Sequence, residues 1–353
     1  MWIFRNPVHV FPRKCGFSKP RAKSSGRLSE GTAEGVAAGA FLLDIEAVTD
    51  YNLHIITSIF ACGGIKVIRI LFNNKANNQH GLDGAKKIEE LLPGETFEYT
   101  DVTGIENAYD FIKTLPAEDT VILTGGDGTL NHFANDVANR PLDRDVFYFP
   151  SGSGNDFWVD VRGDAKDSLL KLNPYVEKLP FSIVDGKKYY FMNDVGFGID
   201  GYCCEEGDRQ RALSDKPINY TSIAIKGLLF KFKPRNAKIT VDGVVHEFDH
   251  VWLAPVMNGR YYGGGMNVAP MQDRLNKERT LSCVVLKDKV PLHALMIFPK
   301  IFEGKLVDCK KNCIWFTGKD IKVEFDKPCA VQVDGETILN ISTTECHSYR
   351  EEE

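Results

Sequence analysis

The chain has 353 residues, of which 43% are hydrophobic and 26% charged, a composition typical of a globular protein large enough for two domains. It contains no run of 18 apolar residues, which argues against a membrane-spanning helix. The net charge of −5 disfavours nucleic acid as a partner, and nine cysteines without regular spacing favour reduced thiols. We therefore expect a soluble, cytoplasmic protein whose contact with membranes is peripheral.

The first 62 residues differ in character from the rest of the chain. Residues 1–28 hold seven Lys or Arg and no acid, and the segment lacks sustained helix or strand periodicity. We expect residues 1–62 to be a basic extension that is disordered or matches no family pattern. A targeting peptide and sequence upstream of the functional start are the alternatives.

Alternating strand and helix patterns follow this extension. They predict strands at 65–72, 96–99, 120–123 and 147–149, and helices at 82–92, 105–114 and 132–139. Alternation at this spacing is typical of an open parallel sheet, whose ligands bind beyond the carboxyl ends of the strands. The sequence therefore predicts an α/β, Rossmann-like nucleotide-binding domain over residues 65–172.

Short β-rich runs dominate after about residue 172. Turn signals such as Asp185-Gly186 and Asp242-Gly243 separate these runs, as in an antiparallel sandwich. A helical pattern over 217–231 interrupts them. The second predicted domain, over 173–336, is therefore a β-sandwich.

The first of two glycine loops comprises Gly125, Gly126, Asp127, Gly128 and Thr129, between a predicted strand and a predicted helix. Glycines in this position let backbone N–H groups approach an anion, and the helix N-terminus adds partial positive charge. A carboxylate at Asp127 repels a bare phosphate, so it indicates a divalent cation or a proton to accept. This loop therefore favours a metal-bound polyphosphate.

The second glycine loop repeats the arrangement after the strand at 147–149. Its candidate ligand-binding residues are Ser151, Gly152, Ser153, Gly154 and Asn155. Neither loop is a Walker A motif, since no Gly-Lys-Ser/Thr follows. A tight turn would explain either loop alone, but two such loops in consecutive βα units favour phosphate binding.

Five motifs, in order, carry a family resemblance: GGDGTLN at 125–131, PSGSGNDF at 150–157, NDVGFGID at 193–200, GGGM at 263–266 and VQVDGE at 331–336. Together they resemble the catalytic domain of the diacylglycerol kinase and sphingosine kinase superfamily, in particular the soluble bacterial diacylglycerol kinase-like lipid kinases. NAD kinases and 6-phosphofructokinases share only the first loop. The likeness covers roughly residues 66–342.

The resemblance implies an ATP-dependent kinase that uses Mg²⁺ to phosphorylate a lipid hydroxyl, of diacylglycerol or a related lipid, in phospholipid metabolism. It implies a phosphofructokinase-like first domain and a lipid-binding sandwich whose last residues, about 337–348, return to that first domain. An NAD kinase-like enzyme and a catalytically weak lipid- or nucleotide-binding protein are the alternatives. The expected partner is a lipid at the membrane surface, and monomer or homodimer is left open.

Roles for individual residues also follow from the resemblance. Asn73 and Lys75 lie in a loop that contacts nucleotide phosphates in the family, and Asp127 with Thr129 would hold the magnesium nucleotide. Asp334 is assigned as the general base. Glu336 would orient that base or bind the metal through water. Asp127 as the base is an alternative, and a plain hairpin turn at Asp334-Gly335 is the less favoured interpretation of that segment.

Three further segments are interpreted with their alternatives. Relatives often hold a structural magnesium where this chain has Asn276-Lys277, and the lysine puts that metal site, with Asp273 and Glu278, in doubt. The G-x-G-x-x-G match at 196–201 is interpreted as a loop lining the cleft, because no crossover helix is expected after it. Apolar and basic residues over 217–238 favour contact with a membrane, and packing of that helix on the sandwich is the alternative.

Overall fold

A computed structural model describes residues 67–75, 80–152, 154–163, 168–214 and 218–350. The predictions for residues 1–62 and for Ser153 lie outside these ranges. Within them no helix is long and apolar enough to cross a membrane. The described residues fall in one compact unit, in which a parallel and an antiparallel sheet share contacts.

The parallel sheet has the alternating order that the sequence predicts. Its strands are β1 (Val67–Phe72), β2 (Thr96–Asp101), β3 (Thr120–Gly125) and β4 (Val146–Pro150), with the short β5 (Leu170–Lys171) antiparallel to β4. The spatial order is β2-β1-β3-β4-β5. The accompanying helices are α1 (Gly81–Leu91), α2 (Ala108–Thr114), α3 (Asp127–Val137), α4 (Asp156–Arg162) and α5 (Asn173–Val176), and a 3₁₀ turn spans Val102–Gly104.

Two predicted boundaries in this sheet are wrong. The helix expected at 132–139 begins five residues earlier, so that Asp127 and Thr129 lie in its first turn. The reason is that Gly126 adopts the extended N-cap conformation and lets the helix begin directly after the strand. Strand β4 includes Pro150, whose missing N–H leaves the pairing of β4 with Gly125 of β3 intact.

The antiparallel sheet contains ten of the remaining strands of the described residues. They are β6 (Phe181–Val184), β7 (Lys187–Tyr190), β8 (Asp194–Phe197), β9 (Arg235–Val241), β10 (Val244–Leu253), β11 (Val256–Met257), β14 (Leu281–Lys287), β15 (Cys313–Gly318), β16 (Asp320–Val333) and β17 (Glu336–His347), while β12 (Tyr261–Tyr262) and β13 (Met266–Asn267) form a separate hairpin. The order runs β7-β6-β17-β16-β8-β11-β14-β10-β9, and β9 also pairs with β16. This last pairing folds the sheet back on itself, so the predicted sandwich is partly a closed barrel.

Three helices cover this sheet. They are α6 (Ile199–Leu213), α7 (Tyr220–Lys226), which continues into a π-helical turn (Gly227–Lys231), and α8 (Pro291–Ile297), followed by 3₁₀ turns at Phe298–Glu303 and Leu306–Asp308. The buried faces of all three contribute to one hydrophobic cluster with Trp252 and Tyr262. The core of the antiparallel part therefore extends from these helices to the β12–β13 hairpin.

Two expectations for this part need correction. The G-x-G-x-x-G segment is not a loop, since its first residues form β8 and its last begin the fifteen-residue α6. It is no dinucleotide motif either, because β8 pairs antiparallel with β16 and β11. The segment at about 337–348 does not return to the parallel sheet: it forms β17, whose hairpin turn at Asp334-Gly335 keeps it paired with β16, and it also pairs with β6.

Candidate active site

Two predicted site residues meet where the parallel strands end. The chain leaves β1 towards β2 on one side, and it leaves β3 towards β4 on the other. The carboxyl ends of β1 and β3 therefore flank a topological switch point, where open α/β sheets bind ligands. Asn73 follows β1, and Thr129 lies in the first turn of α3. The Asn73 amide donates a 3.3 Å hydrogen bond to the Thr129 hydroxyl across this crevice.

The two glycine loops contact each other through their backbones. The carbonyl of Gly125 accepts hydrogen bonds from the N–H groups of Ser151 at 3.0 Å and Gly152 at 3.1 Å. A Cβ atom on Gly152 would lie 2.3 Å from the Cα of Gly126, which no side chain tolerates. Glycine at these positions therefore lets the loops pack together into one backbone-lined cradle.

Asp127 joins the loops and also caps a helix. Its carboxylate accepts hydrogen bonds from the N–H groups of Asp156 at 2.7 Å and Phe157 at 3.1 Å, at the N-terminus of α4. Its own N–H donates to the carbonyl of Gly154 at 3.1 Å. Burial raises the pKa of Asp127, and the two hydrogen bonds from α4 oppose that rise. The side chain thus fixes the first loop to the second while lining the cleft.

The carboxylate of Asp334 accepts four hydrogen bonds. Oδ2 accepts from Asn131 Nδ2 at 2.7 Å and Met192 N at 2.5 Å, and Oδ1 from the N–H groups of Asn193 at 2.8 Å and Asp194 at 2.9 Å. Burial raises the pKa of Asp334, and these bonds oppose the rise. Since an ionised carboxylate offers about four lone-pair sites, the donors occupy all of them.

The carboxylate of Glu336 differs from that of Asp334 in its exposure and its hydrogen bonds. It begins β17, two residues beyond the left-handed Asp334 (φ 45°). Its side chain is exposed and lines the same cleft. Within the described ranges it has no hydrogen-bond or ion-pair partner, so its oxygens are free to meet a ligand.

The cleft has a volume of about 220 Å³ and lies between the glycine loops and the Asp-Gly-Glu turn. Predicted site residues that line it are Asn73, Lys75, Gly126, Asp127, Gly128, Thr129, Gly152, Gly154, Asp334 and Glu336. Three others lie behind this surface. Gly125 and Ser151 hold the loops together, the latter accepting a 2.8 Å bond from the Thr124 hydroxyl, and the Asn155 amide donates to the carbonyl of Gly152 at 2.8 Å.

Six residues that the sequence did not single out also line the cleft: His132, Asp156, Asn193, Asp194, Tyr262 and Gln332. Four of them lie inside the quoted motifs, and His132 and Tyr262 each lie one position outside one. The available signal was a polar residue in an otherwise apolar strand, as for Gln332 between Val331 and Val333. Tyr262 had no such signal, because its position depends on how the β12–β13 hairpin meets the parallel part.

Burial leaves several of these acids easier to protonate. It raises the pKa of Asp156 to about 7, with the Asp127 charge as the second cause, although the N–H groups of Gly264 and Gly265 donate to Asp156 at 2.7 and 2.6 Å. Burial likewise raises the pKa of Asp194 well above its usual value, the Asp334 charge adding to it. A cleft rich in such carboxyls favours binding of a cation or a proton.

A buried guanidinium supports this cleft from behind. Arg274 is 7% exposed, and its three nitrogens donate to Asp160 Oδ2 at 2.6 Å, the Met192 carbonyl at 3.0 Å and Asn193 Oδ1 at 3.1 Å. Asp160 also pairs with the more exposed Arg260 at 2.5 Å. Since Met192 and Asn193 donate to Asp334, Arg274 fixes the segment that holds this carboxylate.

Relatives were expected to bind a structural magnesium at the turn that contains Asn276. In this protein the Asn276 side-chain amide holds that turn together by hydrogen bonds. Asn276 Nδ2 donates to the carbonyls of Asp273 at 2.6 Å and Thr280 at 3.0 Å, and its Oδ1 accepts from Thr280 N at 2.9 Å. Glu278 faces Lys319 at 3.5 Å instead of the turn. Among the described residues no group of three or more His, Cys, Asp or Glu suits a metal.

The cleft thus lies between a parallel sheet with paired glycine loops and an acidic turn of an antiparallel sheet, the arrangement that the sequence led us to expect of a kinase. Comparisons with known proteins agree. Residues 67–177 match the diacylglycerol kinase catalytic domain, and residues 193–347 match the YegS C-terminal NAD kinase beta sandwich-like domain. The chain belongs to the diacylglycerol kinase-like family of lipid kinases.

Individual relatives are distant. "Putative lipid kinase YtlR" of Bacillus subtilis (strain 168) is 26% identical over 61% of this chain and 73% of its own length. "Diacylglycerol kinase" of Mycobacterium tuberculosis (strain CDC 1551 / Oshkosh) is 23% identical over 54% of this chain and 62% of its own length, less than two thirds of that protein. A solved diacylglycerol kinase structure from Bacillus anthracis str. Sterne aligns with a TM-score of 0.54 at 22% identity, over 82% of this chain and 96% of that one, a likeness that shows the fold.

Proposed function

We propose that the protein transfers the γ-phosphoryl group of ATP to the hydroxyl of diacylglycerol or a related lipid, with Mg²⁺ as the metal. The observation that supports this is the cleft itself, in which a backbone cradle for phosphates faces the free carboxylate of Glu336. Phosphoryl transfer needs positioning, charge neutralisation and a proton acceptor, and the cleft offers residues for all three.

The nucleotide would extend over two adjoining cavities. Loop N–H groups and Thr129 would bind the phosphates, Lys75 would add a point charge, and Asp127 would hold Mg²⁺ directly or through water. When bound, the metal would neutralise charge on the transferring phosphoryl group. A second cavity of about 400 Å³ shares Asn73, Lys75, Thr129 and His132 with the cleft and has apolar walls from Val102, Ile105 and Phe133, a lining that suits adenosine.

The proton acceptor we propose is Glu336, which revises the role expected for Asp334. Asp334 has no lone pair left for a substrate hydroxyl, because four donors already occupy its oxygens. Glu336 can accept the hydroxyl proton while the new oxygen–phosphorus bond forms and the bond to the β-phosphate oxygen breaks, its electron pair leaving with ADP. Asp334 then positions the turn that carries Glu336.

One assay distinguishes the proposed lipid kinase from its two alternatives, an NAD kinase-like enzyme and a catalytically weak binding protein. Purified full-length protein is incubated with radiolabelled ATP and, separately, a lipid panel and NAD, and the products are resolved by thin-layer chromatography. The proposal predicts a Mg²⁺-dependent labelled lipid that Glu336→Gln abolishes. Labelled NADP would identify an NAD kinase-like enzyme instead. Lipid and nucleotide binding without any labelled product would indicate a binding protein.

A further inference from the structure

Two neighbouring helices of the antiparallel part expose large apolar side chains. Phe230 in the π-helical turn is 77% exposed, and Leu292 and Met296 of α8 are 60% and 65% exposed. The helix α8 packs against the π-helical turn, and the buried faces of both share one core cluster. Their exposed apolar faces therefore lie on adjoining elements.

The apolar residues of segment 217–238, which the sequence suggested for membrane contact, fall into a buried group and an exposed group in the structure. Tyr220, Ile223, Leu228 and Phe232 are buried in the core, whereas Ile225 and Phe230 are exposed. Packing on the sandwich thus explains half of that set. The contribution of α8, which lies some sixty residues further along the chain, was not visible in the sequence.

The two chain segments that form this face carry formal charge of one sign. Residues 218–241 contain five Lys or Arg and no acid, and residues 289–302 contain two Lys and no acid, on a chain whose net charge is −5. Lys226, Lys231 and Lys233 are exposed. Cations around exposed apolar side chains are the pattern of peripheral proteins that bind anionic bilayers.

The same core connects this face with the cleft. Tyr262, which lines the cleft, belongs to the hydrophobic cluster that contains Leu228 of the π-helical turn and Ala294 of α8. The elements that carry the exposed face and one wall of the cleft therefore share a hydrophobic core.

We propose that the exposed face of α7, the π-helical turn and α8, here called the docking surface, binds membranes that contain anionic phospholipid. Phe230, Leu292 and Met296 enter the interface, and the lysines of residues 226–233 contact lipid phosphates. This proposal rests on the proposed lipid kinase function, for which it would bring the protein to a membrane that contains the substrate.

Sedimentation of the full chain with vesicles tests the docking surface without catalysis. Vesicles of phosphatidylcholine with phosphatidylglycerol are compared with phosphatidylcholine alone, in the absence of ATP. The double substitution Phe230→Ser, Met296→Ser should weaken binding to the anionic vesicles about tenfold or more, because two large side chains lose their burial. Lys231→Glu, Lys233→Glu should weaken it roughly fivefold or more per residue and reduce its salt dependence.

The matched control is Val244→Ser, Val245→Ser, which alters two apolar residues on the β9–β10 hairpin that are more than half exposed (58% and 52%). It should bind vesicles as the wild type does. Wild-type binding by both docking-surface variants would overturn the proposal, and so would a loss of dimer mass in gel filtration with vesicle binding unchanged, which would identify a second copy of the chain as the occupant.

A soluble acceptor separates this proposal from the proposed function. Both docking-surface variants should phosphorylate a short-chain diacylglycerol analogue at the wild-type rate while losing activity on vesicle-embedded diacylglycerol. If the wild type labels no lipid, the kinase proposal fails, whereas the vesicle-binding comparison still decides the docking surface. Equal losses on soluble and embedded substrate, in variants whose urea unfolding matches that of the wild type, would contradict a role limited to docking.

Discussion

The side chains of Asn131 and Asp334 are 203 positions apart in the sequence and are joined by a hydrogen bond of 2.7 Å. Asn131 lies on α3, the helix that begins with the first glycine loop, and Asp334 lies in the turn that carries Glu336. This bond therefore joins the helix of the proposed phosphate cradle directly to the turn that carries the proposed proton acceptor.

Replacing Asp334 by Asn should destabilise the protein as well as inactivate it. The amide offers only one acceptor oxygen to four donors, and its NH₂ group faces N–H groups. Each buried donor left without an acceptor costs about 1–3 kcal/mol. Urea unfolding of the variant should show this loss, and a variant with wild-type stability would contradict the positioning role.

The Glu336→Gln variant should instead stay folded and lose kinase activity. Its side chain is exposed and has no partner among the described residues, so unfolding by urea should change by less than about 0.5 kcal/mol. Loss of a positioned base lowers kcat by roughly 100- to 10,000-fold, with little change in ATP affinity. A variant that keeps more than a tenth of the wild-type rate would return the role of base to Asp334 or Asp127.

Asp127→Ala should abolish the magnesium dependence of nucleotide binding. The same substitution removes the cap of α4, since the N–H groups of Asp156 and Phe157 lose their acceptor, at a cost of roughly 1 kcal/mol. Calorimetric titration with ATP, with and without Mg²⁺, measures the first effect. Asp127→Asn keeps a cap oxygen and serves as the control. Magnesium-dependent binding in both variants would leave Asp127 with its structural role alone.

The sequence predicted the parts of the site that depend on local chemistry. Both glycine loops, their position after β3 and β4, and the Asp-Gly-Glu turn follow from strand patterns and turn residues within a few positions. What it did not predict depends on long-range packing. The four donors to Asp334 come from two segments more than a hundred residues away, and only the pairing of β8 with β16 brings Met192 and Asn193 next to that turn.

The predictions for two helices, α3 and α6, were wrong for a related reason. The predicted start of α3 was His132, after the glycine loop, while the structure starts the helix at Asp127, where Gly126 permits the cap. The polar α6 lacks an apolar stripe, so its sequence resembled a loop, although burial of Cys203, Cys204 and Gly207 against the sheet stabilises it as a helix.

Arg274→Lys should lower stability and activity more than Arg260→Lys does. Lysine keeps the charge opposite Asp160 but cannot also reach the Met192 carbonyl and the Asn193 side chain, and each buried acceptor left unpaired costs about 1–3 kcal/mol. Arg260 pairs with the same aspartate near the surface and serves as the matched control. Urea unfolding and kcat report the two effects. Equal, small changes in both variants would show that Arg274 does not position the segment that holds Asp334.

The Asp200→Asn variant should be more stable than the wild type, and this difference in stability should be larger at high pH than at low pH. Asp200 is 4% exposed, and burial raises its pKa from 3.8 to about 7, with the Tyr262 hydroxyl opposing the rise. Between these two values the folded wild type holds a proton that the unfolded chain has released, so its stability falls as pH rises. Asparagine removes this dependence.

The two proteins should therefore differ little near pH 4, and the advantage of the variant should grow up to about pH 7 and then level off, at no more than roughly 4 kcal/mol. Urea unfolding at a series of pH values measures it. Asp185→Asn, at an exposed turn position, should shift stability by less than about 0.5 kcal/mol throughout. A difference between Asp200→Asn and wild type that shrinks as pH rises would show that the folded protein holds Asp200 as a stabilised carboxylate.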